Sequence, residues 1–297
     1  DESSVRRVRA RPQSASPKPS LTHKVPPAPP RLLLLGAHPD DAEYHAGGLL
    51  SRYRRELDAK VKLVSLTDGS AGHHQIPPDE LRRIRREESA AAGRVIGAEY
   101  VNLDLPDAAL EATLENRLRV IREIRSFRPD LVLAHRPNDY HPDHRAAAQL
   151  VQDASYLVTV PHVLPEVPPL FADPVVLYLP DLFTRPAPLR PDLVLDVEPQ
   201  LDDLLAMLAC HRTQVFGWLA YEGGLLDQVP EDEDAKLPWL RQWFEGQVGE
   251  RADRFRSALV ATYGEERGNA VTFCEAYEIS EYAAPLDEER RARLWPF

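Results

Sequence analysis

The sequence is poor in cysteine, and this excludes two ways of stabilising a small protein. Cys210 and Cys274 are the only cysteines among 297 residues, and they lie far apart in the chain. A disulfide framework needs several cysteines, and a sulfur-ligated zinc module needs closely spaced pairs. We therefore interpret both residues as buried thiols. With 43% hydrophobic residues, the chain is long enough to bury a large apolar core instead.

The chain also lacks a long apolar run. No run approaches the roughly 20 residues that a membrane-spanning helix requires, and the opening stretch has no continuous apolar segment of the signal-peptide type. We therefore predict a protein with no membrane span and a cytoplasmic location. Because the chain begins at Asp1 rather than at methionine, removal of an earlier leader would change the predicted location.

Basic charge is in deficit. The chain has 36 Lys and Arg against 47 Asp and Glu, which gives a formal net charge of -11. Binding to phosphates requires a basic surface, so we expect neither a nucleic acid nor an anionic membrane as a partner. We interpret the acidic surplus as a contribution to solubility. The composition leaves homo-oligomerisation open.

The first 30 residues differ in composition from the remainder of the chain. Residues 1–30 are rich in Pro, Ser and basic residues and have no hydrophobic period. Such a segment cannot bury enough apolar surface to become ordered. We predict a flexible N-terminal tail and favour it over a docking patch made by its arginines. Residues 31–297 are predicted to form a single catalytic domain.

From Arg31 onward, short apolar runs alternate with amphipathic stretches. The order "RLLLLGA", "AGGLLSRYRREL", "KVKLVSLT", "DELRRIRREESAAAGRVIG", "EYVNLDL", "TLENRLRVIREIRSF", "PDLVLAH" predicts alternating strands and helices. This pattern indicates an α/β fold of the Rossmann-like, doubly wound type, with a mostly parallel sheet and helices on both faces. In such folds the chemistry collects at the carboxyl ends of the strands.

The second half of the chain is less regular. Residues 31–160 hold the motifs described below, and residues 161–297 are predicted to shape the pocket. This part is Pro-rich and helical, with strand candidates "PVVLYLP" and "PDLVLDV" and a helix in "EPQLDDLLAMLACHRTQ". One long helix is predicted over "PWLRQWFEGQVGERADRFRSALVATYG", because an apolar stripe runs through Trp239, Phe244, Val248 and Phe255.

The turn after the first strand does not resemble a dinucleotide site. "GAHPDDAEYHAGG" lacks the G-x-G-x-x-G spacing that lets a pyrophosphate approach the backbone. It also places two carboxylates where that phosphate would lie. Repulsion between like charges therefore makes a nucleotide a poor ligand for this turn.

A metal cation fits the turn much better. His38 and Asp41 lie three residues apart and offer an imidazole and a carboxylate, which are good ligands for first-row metals. "HRPNDYHPDHRAA" follows another apolar strand and offers His141, Asp143 and His144. Either cluster alone is more often a capped helix start with a surface histidine. Two such clusters at strand ends together predict a metal site, with the third ligand supplied by the second cluster.

Five of the other seven histidines form a wider string through the sequence. We expect most of them to be structural or exposed, with one or two lining the pocket. They are His73, His74, His135, His162 and His211.

The motifs resemble those of the zinc-dependent N-deacetylases of the LmbE-like or PIG-L family. The resemblance depends on "AHPDD" followed by "GG", on "LTDGSAGHH", on "RREESAAAGRVIG" and on "PNDYHPDHRAA". It covers residues 31–160 closely, and "CHRTQ" at 210–214 is similar to a later element of the family. Chance agreement of paired motifs at these positions is not expected.

The resemblance implies a mononuclear zinc held by His38, Asp41 and His144, with water in the open position. Asp40 would match the general base of the family. His141 would match the imidazole that stabilises the oxyanion or protonates the leaving group. Asp143 would match the carboxylate that orients this imidazole.

The resemblance also implies two residues that bind the substrate. Arg85, with Glu88 three residues on, falls where the family keeps a substrate-binding arginine. Asp107 in "LPDAAL" falls where it often keeps a carboxylate for a sugar hydroxyl. The glycine that usually follows this aspartate is Ala108 here, so the contribution of Asp107 is open.

The chemistry of the residues agrees with these roles. A catalytic zinc needs three protein ligands and a water, whose pKa it brings from ~16 toward ~7. Asp40 and Asp41 cannot easily bind one ion from a single tight turn, so one of them is expected to bind and the other to face the water. A protonated His141 would stabilise an oxyanion. Either Asp40 or His141 could protonate the departing amine.

We therefore predict a zinc-dependent hydrolase that removes an N-acetyl or other N-acyl group from an amino sugar or its conjugate. Its partner would be a small N-acetylated sugar or conjugate. Two alternatives are an amidase of a larger conjugate with the same chemistry, and a non-catalytic metal- or sugar-binding protein on the same scaffold.

Overall fold

The structure is a computed structural model that describes residues 28–297. The predicted tail of residues 1–30 therefore lies, apart from its last three residues, outside the described part of the chain. None of the helices within residues 28–297 combines the length and the apolar character needed to cross a bilayer.

Seven strands form one sheet in the order β3-β2-β1-β4-β5-β7-β6. Strands β1 to β5 are parallel to their neighbours among themselves, whereas β7 runs antiparallel to both β5 and β6. The strands are β1 (Arg31–Gly36), β2 (Lys60–Thr67), β3 (Glu99–Leu105), β4 (Leu131–Ala134), β5 (Val175–Tyr178), β6 (Leu193–Asp196) and β7 (Cys274–Ile279).

Helices connect the strands and extend beyond them. They are α1 (Asp41–Leu57), α2 (Pro78–Ile96), α3 (Leu114–Phe127), α4 (Pro142–Leu157), α5 (Leu201–Cys210), α6 (Ala220–Glu222), α7 (Glu233–Arg254), α8 (Arg256–Tyr263), α9 (Glu265–Ala270) and α10 (Glu288–Leu294). Two 3-10 turns and one π-helix complete them: Glu198–Gln200, Leu226–Gln228 and the π-helix Thr213–Leu219.

The four leucines of β1 explain the layered core. Leu32 and Leu34 pack into a cluster with side chains of α1, α2 and α5, whereas Leu33 and Leu35 pack into another with side chains of α3 and α4. Because successive side chains of a strand point to opposite faces, a run of four leucines matches a strand buried on both faces. The prediction of a doubly wound, mostly parallel α/β fold is confirmed.

Two features of the second half differ from the prediction. The single long helix predicted over residues 238–264 is wrong, because the chain forms α7 and α8 with a break at Phe255, whose φ of -105° and ψ of 15° are not helical. Strand β7 was not predicted. The sheet contains strands from residues 31–160 and from residues 161–297, and the division of labour between these parts stays a prediction.

Strands β1 and β4 are direct neighbours in the sheet, with Leu35 opposite Ala134. The carboxyl ends of parallel neighbours meet at one edge of a sheet, which is where doubly wound folds place their ligands. The predicted clusters after β1 and β4 therefore lie beside each other.

Candidate functional site

The chain leaves β1 through a tight turn that delivers two adjacent aspartates. A Cβ atom on Gly36 would lie 2.9 Å from the Cβ of Asp41, so a side chain at position 36 would displace this aspartate. Asp40 has a φ of 118°, in the left-handed region that L residues rarely adopt. Such backbone strain costs of order 1–3 kcal/mol and is common at functional sites.

Three predicted ligands converge at the ends of β1 and β4. His38 Nδ1 lies 3.2 Å from His144 Nε2 and 3.7 Å from Asp41 Oδ2. His144 Nε2 lies 3.4 Å from Asp41 Oδ1. Ligands placed tetrahedrally about 2.0–2.1 Å from a zinc ion would lie about 3.3 Å from one another. The spacing and the donor set, two imidazoles and one carboxylate, therefore fit a metal ion of this kind.

The surroundings of His38 are strongly acidic. His38 Nε2 lies 3.1 Å from Asp143 Oδ2 and 3.3 Å from Asp107 Oδ1. Burial lowers the pKa of His38, but hydrogen bonds to both carboxylates and the charge of Asp41 raise it well above its ordinary value. Three aspartates thus lie around His38 and create a negative potential that favours a cation beside this residue.

Asp41 is held in place by several neighbouring groups. Its Oδ2 accepts a hydrogen bond of 2.7 Å from the backbone N–H of His38 and lies 2.9 Å from His135 Nε2. Burial raises the pKa of Asp41, but the neighbouring His144 and His135 lower it well below its ordinary value. Asp41 therefore carries a negative charge and is fixed in orientation, as a metal ligand should be.

His135 is a member of the cluster that the sequence did not single out. Its side chain is 2% exposed and directly follows β4. Two sets of histidines and carboxylates that could hold a metal share His144: one with Asp41 and His135, the other with His38 and His141. The sequence signal for His135 was its position at the carboxyl end of a strand. Many structural histidines have such a position, so this signal alone does not identify a site residue.

Asp40 differs from its neighbour Asp41 in its contacts. Within residues 28–297 its carboxylate accepts no hydrogen bond, although its backbone N–H donates one of 3.3 Å to Tyr100. Burial and the adjacent Asp41 raise the pKa of Asp40 to about 7. Asp40 lines a cavity of about 400 Å³ together with His38, Asp41 and His144.

The structure places His141 beside the cluster but gives Asp143 other partners. The rings of His38 and His141 have centroids 4.5 Å apart. His141 Nδ1 accepts a hydrogen bond of 3.2 Å from the backbone N–H of Asp143. The carboxylate of Asp143 contacts His38 and accepts hydrogen bonds from the N–H groups of Ala108 and Leu110. Asp143 therefore orients His38 in this structure, rather than His141 as expected.

Arg85 and Asp107 line a second, smaller cavity of about 130 Å³ with His38 and His141. Arg85 is 1% exposed; it donates a hydrogen bond of 3.0 Å to the carbonyl of Gly72, and its Nε has no partner in the described chain. Asp107 accepts a hydrogen bond of 2.8 Å from the N–H of Ala71. Both residues thus lie next to the candidate metal-binding cluster.

Ala108 follows Asp107 with a φ of 61°, in the left-handed region. This conformation normally favours glycine. In the left-handed turn, the Ala108 N–H donates a hydrogen bond of 2.8 Å to Asp143 Oδ2. The absence of the expected glycine therefore does not move Asp107 away from His38.

The "CHRTQ" segment makes polar contacts with α1 and α2 and lines both cavities. His211 Nε2 lies 3.0 Å from Glu43 Oε1, and both side chains are fully buried. Thr213 donates two hydrogen bonds, from its N–H and its hydroxyl, to the carboxylate of Glu88. Gln214 starts the wall that the π-helix contributes to both cavities. π-Helical segments are frequent at functional sites.

Three histidines of the wider string do not join the cluster. His73 and His74 stack on each other with centroids 4.8 Å apart, and His74 stacks on Tyr221. His162 is exposed at the surface. Of the five histidines in this string, His135 contacts the proposed ligands Asp41 and His144, and His211 is buried against Glu43.

Residues 33–155 match the family described as PIG-L: GlcNAc-PI de-N-acetylase. The resemblance inferred from the motifs is thereby confirmed for this segment. It contains the strand-end clusters, Arg85 and Asp107. The "CHRTQ" segment lies beyond the match.

Two curated relatives have different printed activities. A 4-oxalmesaconate hydratase of Pseudomonas putida is 27% identical over 197 residues, which are 64% of this chain and 76% of that protein. A diacetylchitobiose deacetylase of Thermococcus kodakarensis is 31% identical over 138 residues, which are 44% of this chain and 51% of that protein. The chain thus aligns with about half of the deacetylase.

A solved structure supports the fold. The N,N'-diacetylchitobiose deacetylase from Pyrococcus horikoshii superposes with a TM-score of 0.60 and 22% identity. The superposition covers 85% of this chain and 84% of that one. It extends well past residue 155, so the likeness in fold includes most of the second half of the chain.

Proposed function

We propose that the chain, whose residues 33–155 match the PIG-L family, is a zinc-dependent hydrolase that removes an N-acetyl group from an amino sugar or its conjugate. The observation that carries this proposal is the difference in contacts between two adjacent aspartates. Asp41 is held by three histidine residues, whereas Asp40 faces the cavity with a carboxylate that accepts no hydrogen bond from the described chain.

His38, Asp41 and His144 would hold the zinc ion. Their ligand atoms already lie 3.2 to 3.7 Å apart. Bound zinc would polarise the acetamide carbonyl and lower the pKa of a water molecule. Asp143 would keep His38 oriented through its contact with Nε2.

Asp40 would act as the general base. It lies on the cavity wall next to the ligand Asp41, and its carboxylate is free to accept a proton from the attacking water. A positioned base of this kind contributes about 10²–10⁴-fold to the rate. His141 borders the smaller cavity and would donate a hydrogen bond to the oxyanion that forms on the carbonyl oxygen. The departing amine takes its proton from Asp40 or from His141.

Arg85 and Asp107 would bind the hydroxyls of the sugar. A guanidinium offers donors and a carboxylate offers acceptors, and both border the smaller cavity beside His38. A sugar placed there would have its N-acetyl group next to the three ligands.

An assay for released amine tests this proposal. Purified protein should be supplied with zinc and given N-acetylglucosamine, N,N'-diacetylchitobiose and larger N-acyl conjugates. The proposal expects amine release from at least one N-acetylated sugar and loss of that activity on chelation. Release only from larger conjugates would favour an amidase, and metal binding without release would favour a binding protein.

A hydratase is the second candidate, because the hydratase relative aligns over a larger share of its own length than the deacetylase does. The same base could activate water for addition to a carbon–carbon double bond. A parallel assay with 4-oxalmesaconate separates the two candidates. Its readout is the loss of absorbance of the conjugated double bond. Hydration without amine release would contradict the deacetylase proposal.

A further inference from the structure

Arg251 lies in the wall of the larger cavity, far along the chain from the motifs. It belongs to α7, is 5% exposed, and lines the same cavity as Asp40, Asp41 and His144. The side chain packs over the ring of Tyr44 in α1, with its guanidinium carbon 5.2 Å from the ring centroid. Arg251 therefore places a permanent positive charge on the cavity wall that also holds the proposed metal ligands and base.

The guanidinium of Arg251 has few partners for a buried arginine. Its one hydrogen bond is long, 3.4 Å from Nη1 to the carbonyl of Tyr44. No carboxylate oxygen of residues 28–297 lies within 4.0 Å of it. A guanidinium has five N–H donors, and buried polar groups are normally hydrogen-bonded. Most of the donor capacity of Arg251 is thus left for something that enters the cavity.

Two other buried arginines show the hydrogen-bond partners that a buried guanidinium normally has. Arg136 forms two hydrogen bonds to Asp181 and a third to a carbonyl. Arg125 donates to carbonyls of the chain that follows α4. Both fulfil structural roles through these contacts. Arg251 has no comparable set.

The charge of Arg251 acts on the buried acid Glu275, whose carboxylate already has other hydrogen-bond partners. The carboxylate of Glu275 accepts hydrogen bonds from the N–H groups of Gly48 and Leu49 and from the hydroxyl of Tyr277. These contacts fix Glu275 against the middle of α1 rather than against Arg251.

We propose that Arg251 binds a carboxylate of the substrate, so that the substrate is an N-acetylated amino sugar with an acidic substituent. The N-acetyl part of this statement rests on the proposed function; the acidic part rests on Arg251 alone. Paired hydrogen bonds from a guanidinium to a carboxylate are among the strongest in proteins, and their planar geometry gives specificity.

A carboxylate fits the cavity better than a phosphate. Among the described residues that line the larger cavity, Arg251 is the one arginine or lysine, whereas Asp139 and Glu222 add negative charge at the wall. One guanidinium balances one carboxylate. A phosphate with nearly two negative charges would remain partly unbalanced beside these acids.

The two cavities share part of their lining, so one substrate can extend through both. Both are lined by His38, Tyr140, Gln214 and Leu219. The sugar would face Arg85 and Asp107 in the smaller cavity. The acidic substituent would extend into the larger cavity toward Arg251.

A matched pair of ligands tests the inference. The N-acetylglucosamine glycoside of 3-hydroxypropanoic acid and its carboxamide differ in charge but hardly in shape. N-acetylglucosamine 1-phosphate separates a carboxylate preference from a general preference for anions. The measurements are kcat/KM for amine release, and calorimetric affinity of the three deacetylated amines for the zinc-free protein.

The inference predicts that the wild-type protein prefers the acid to the amide by about 10–100-fold in both measurements, the usual effect of a charged hydrogen-bonded pair. Arg251→Gln should bring the ratio to about 1, and Arg251→Lys should restore part of it. The matched control is Arg241→Gln on the same helix, whose side chain is 42% exposed and pairs with Asp202; it should keep the wild-type ratio.

Equal affinity for acid and amide in the wild-type protein would overturn the inference, as would no measurable binding of either, a preference for the phosphate over the acid, or a ratio that persists in Arg251→Gln. Circular dichroism shows whether that variant folds; if it does not, the wild-type ratio and Arg251→Lys decide. Equal deacetylation of acid and amide would contradict the inference and leave the proposed function intact. Arg251-dependent binding of the acid without deacetylation would support the role of Arg251 and contradict the proposed function.

Discussion

The imidazole of His135 lies flat against that of His144, with ring centroids 4.0 Å apart and planes 11° from parallel. His135 follows β4 directly, and His144 lies in the first turn of α4 after the intervening loop. His135 also reaches Asp41, at 2.9 Å. A residue that touches two proposed ligands can orient both without binding the metal itself.

His135→Ala should weaken metal binding by about 10–100-fold, the usual effect of removing a group that orients metal ligands. His38→Ala and His144→Ala should instead empty the site, because two protein ligands do not hold zinc against water. Competition with a chelator measures the affinity, and His162→Ala, an exposed histidine, is the control. If His135→Ala empties the site while His38→Ala keeps the metal, His135 is the ligand.

Gly48→Ala should lower the free energy of unfolding by about 1–3 kcal/mol, because an added methyl overpacks a dense core. A Cβ atom there would lie 2.4 Å from Val197 Cγ1 and 3.0 Å from Glu275 Oε1. Urea unfolding measures the change. Gly246→Ala in α7 is the matched control, since nothing lies within 4 Å of its added Cβ; it should raise stability by about 0.5–1 kcal/mol. Equal effects of the two changes would contradict this description of the core.

Asp173→Asn should flatten the pH dependence of stability. Burial raises the pKa of Asp173 to about 6, although a hydrogen bond from Ser155 lowers it in part. The folded protein therefore holds a proton that the unfolded chain has lost, so the free energy of unfolding falls as pH rises from the ordinary aspartate range through about 6. The asparagine variant should lose this fall and be more stable than wild type at about pH 7.

Urea midpoints at about pH 4 and about pH 7 test this prediction. Asp227→Asn, at an exposed position, should keep the wild-type dependence. A variant Asp173→Asn with an unchanged slope would show that this carboxyl does not titrate abnormally.

The sequence predicted what is encoded locally. Four consecutive leucines identify β1, and a polar cluster directly after each of β1 and β4 lies at the same sheet edge because neighbouring parallel strands end together. The positions of His38, Asp41 and His144 beside one another follow from this rule. Their roles as ligands stay a prediction.

The remainder depends on packing between distant segments. Arg251 lines the same cavity as Asp41 because side chains of α7 pack on Tyr44 of α1, and no local pattern shows that packing. Strand β7 escaped prediction because "CEAYEI" holds two glutamates, one of which, Glu275, is buried by hydrogen bonds to α1. The contact of Asp143 with His38 depends on the turn at Ala108, whose left-handed φ the residue type does not favour.

The most direct test of the proposed function compares Asp40→Asn with Asp41→Asn, in zinc content and in deacetylation kinetics. Asp40→Asn keeps the shape of the side chain but removes the proton acceptor, so zinc content should stay near that of wild type while kcat falls by roughly 10²–10⁴ with little change in KM. Asp41→Asn should weaken zinc binding and recover part of its activity in excess metal. Full activity in Asp40→Asn, or loss of zinc from Asp40→Asn with retention in Asp41→Asn, would contradict the assignment of the two aspartates.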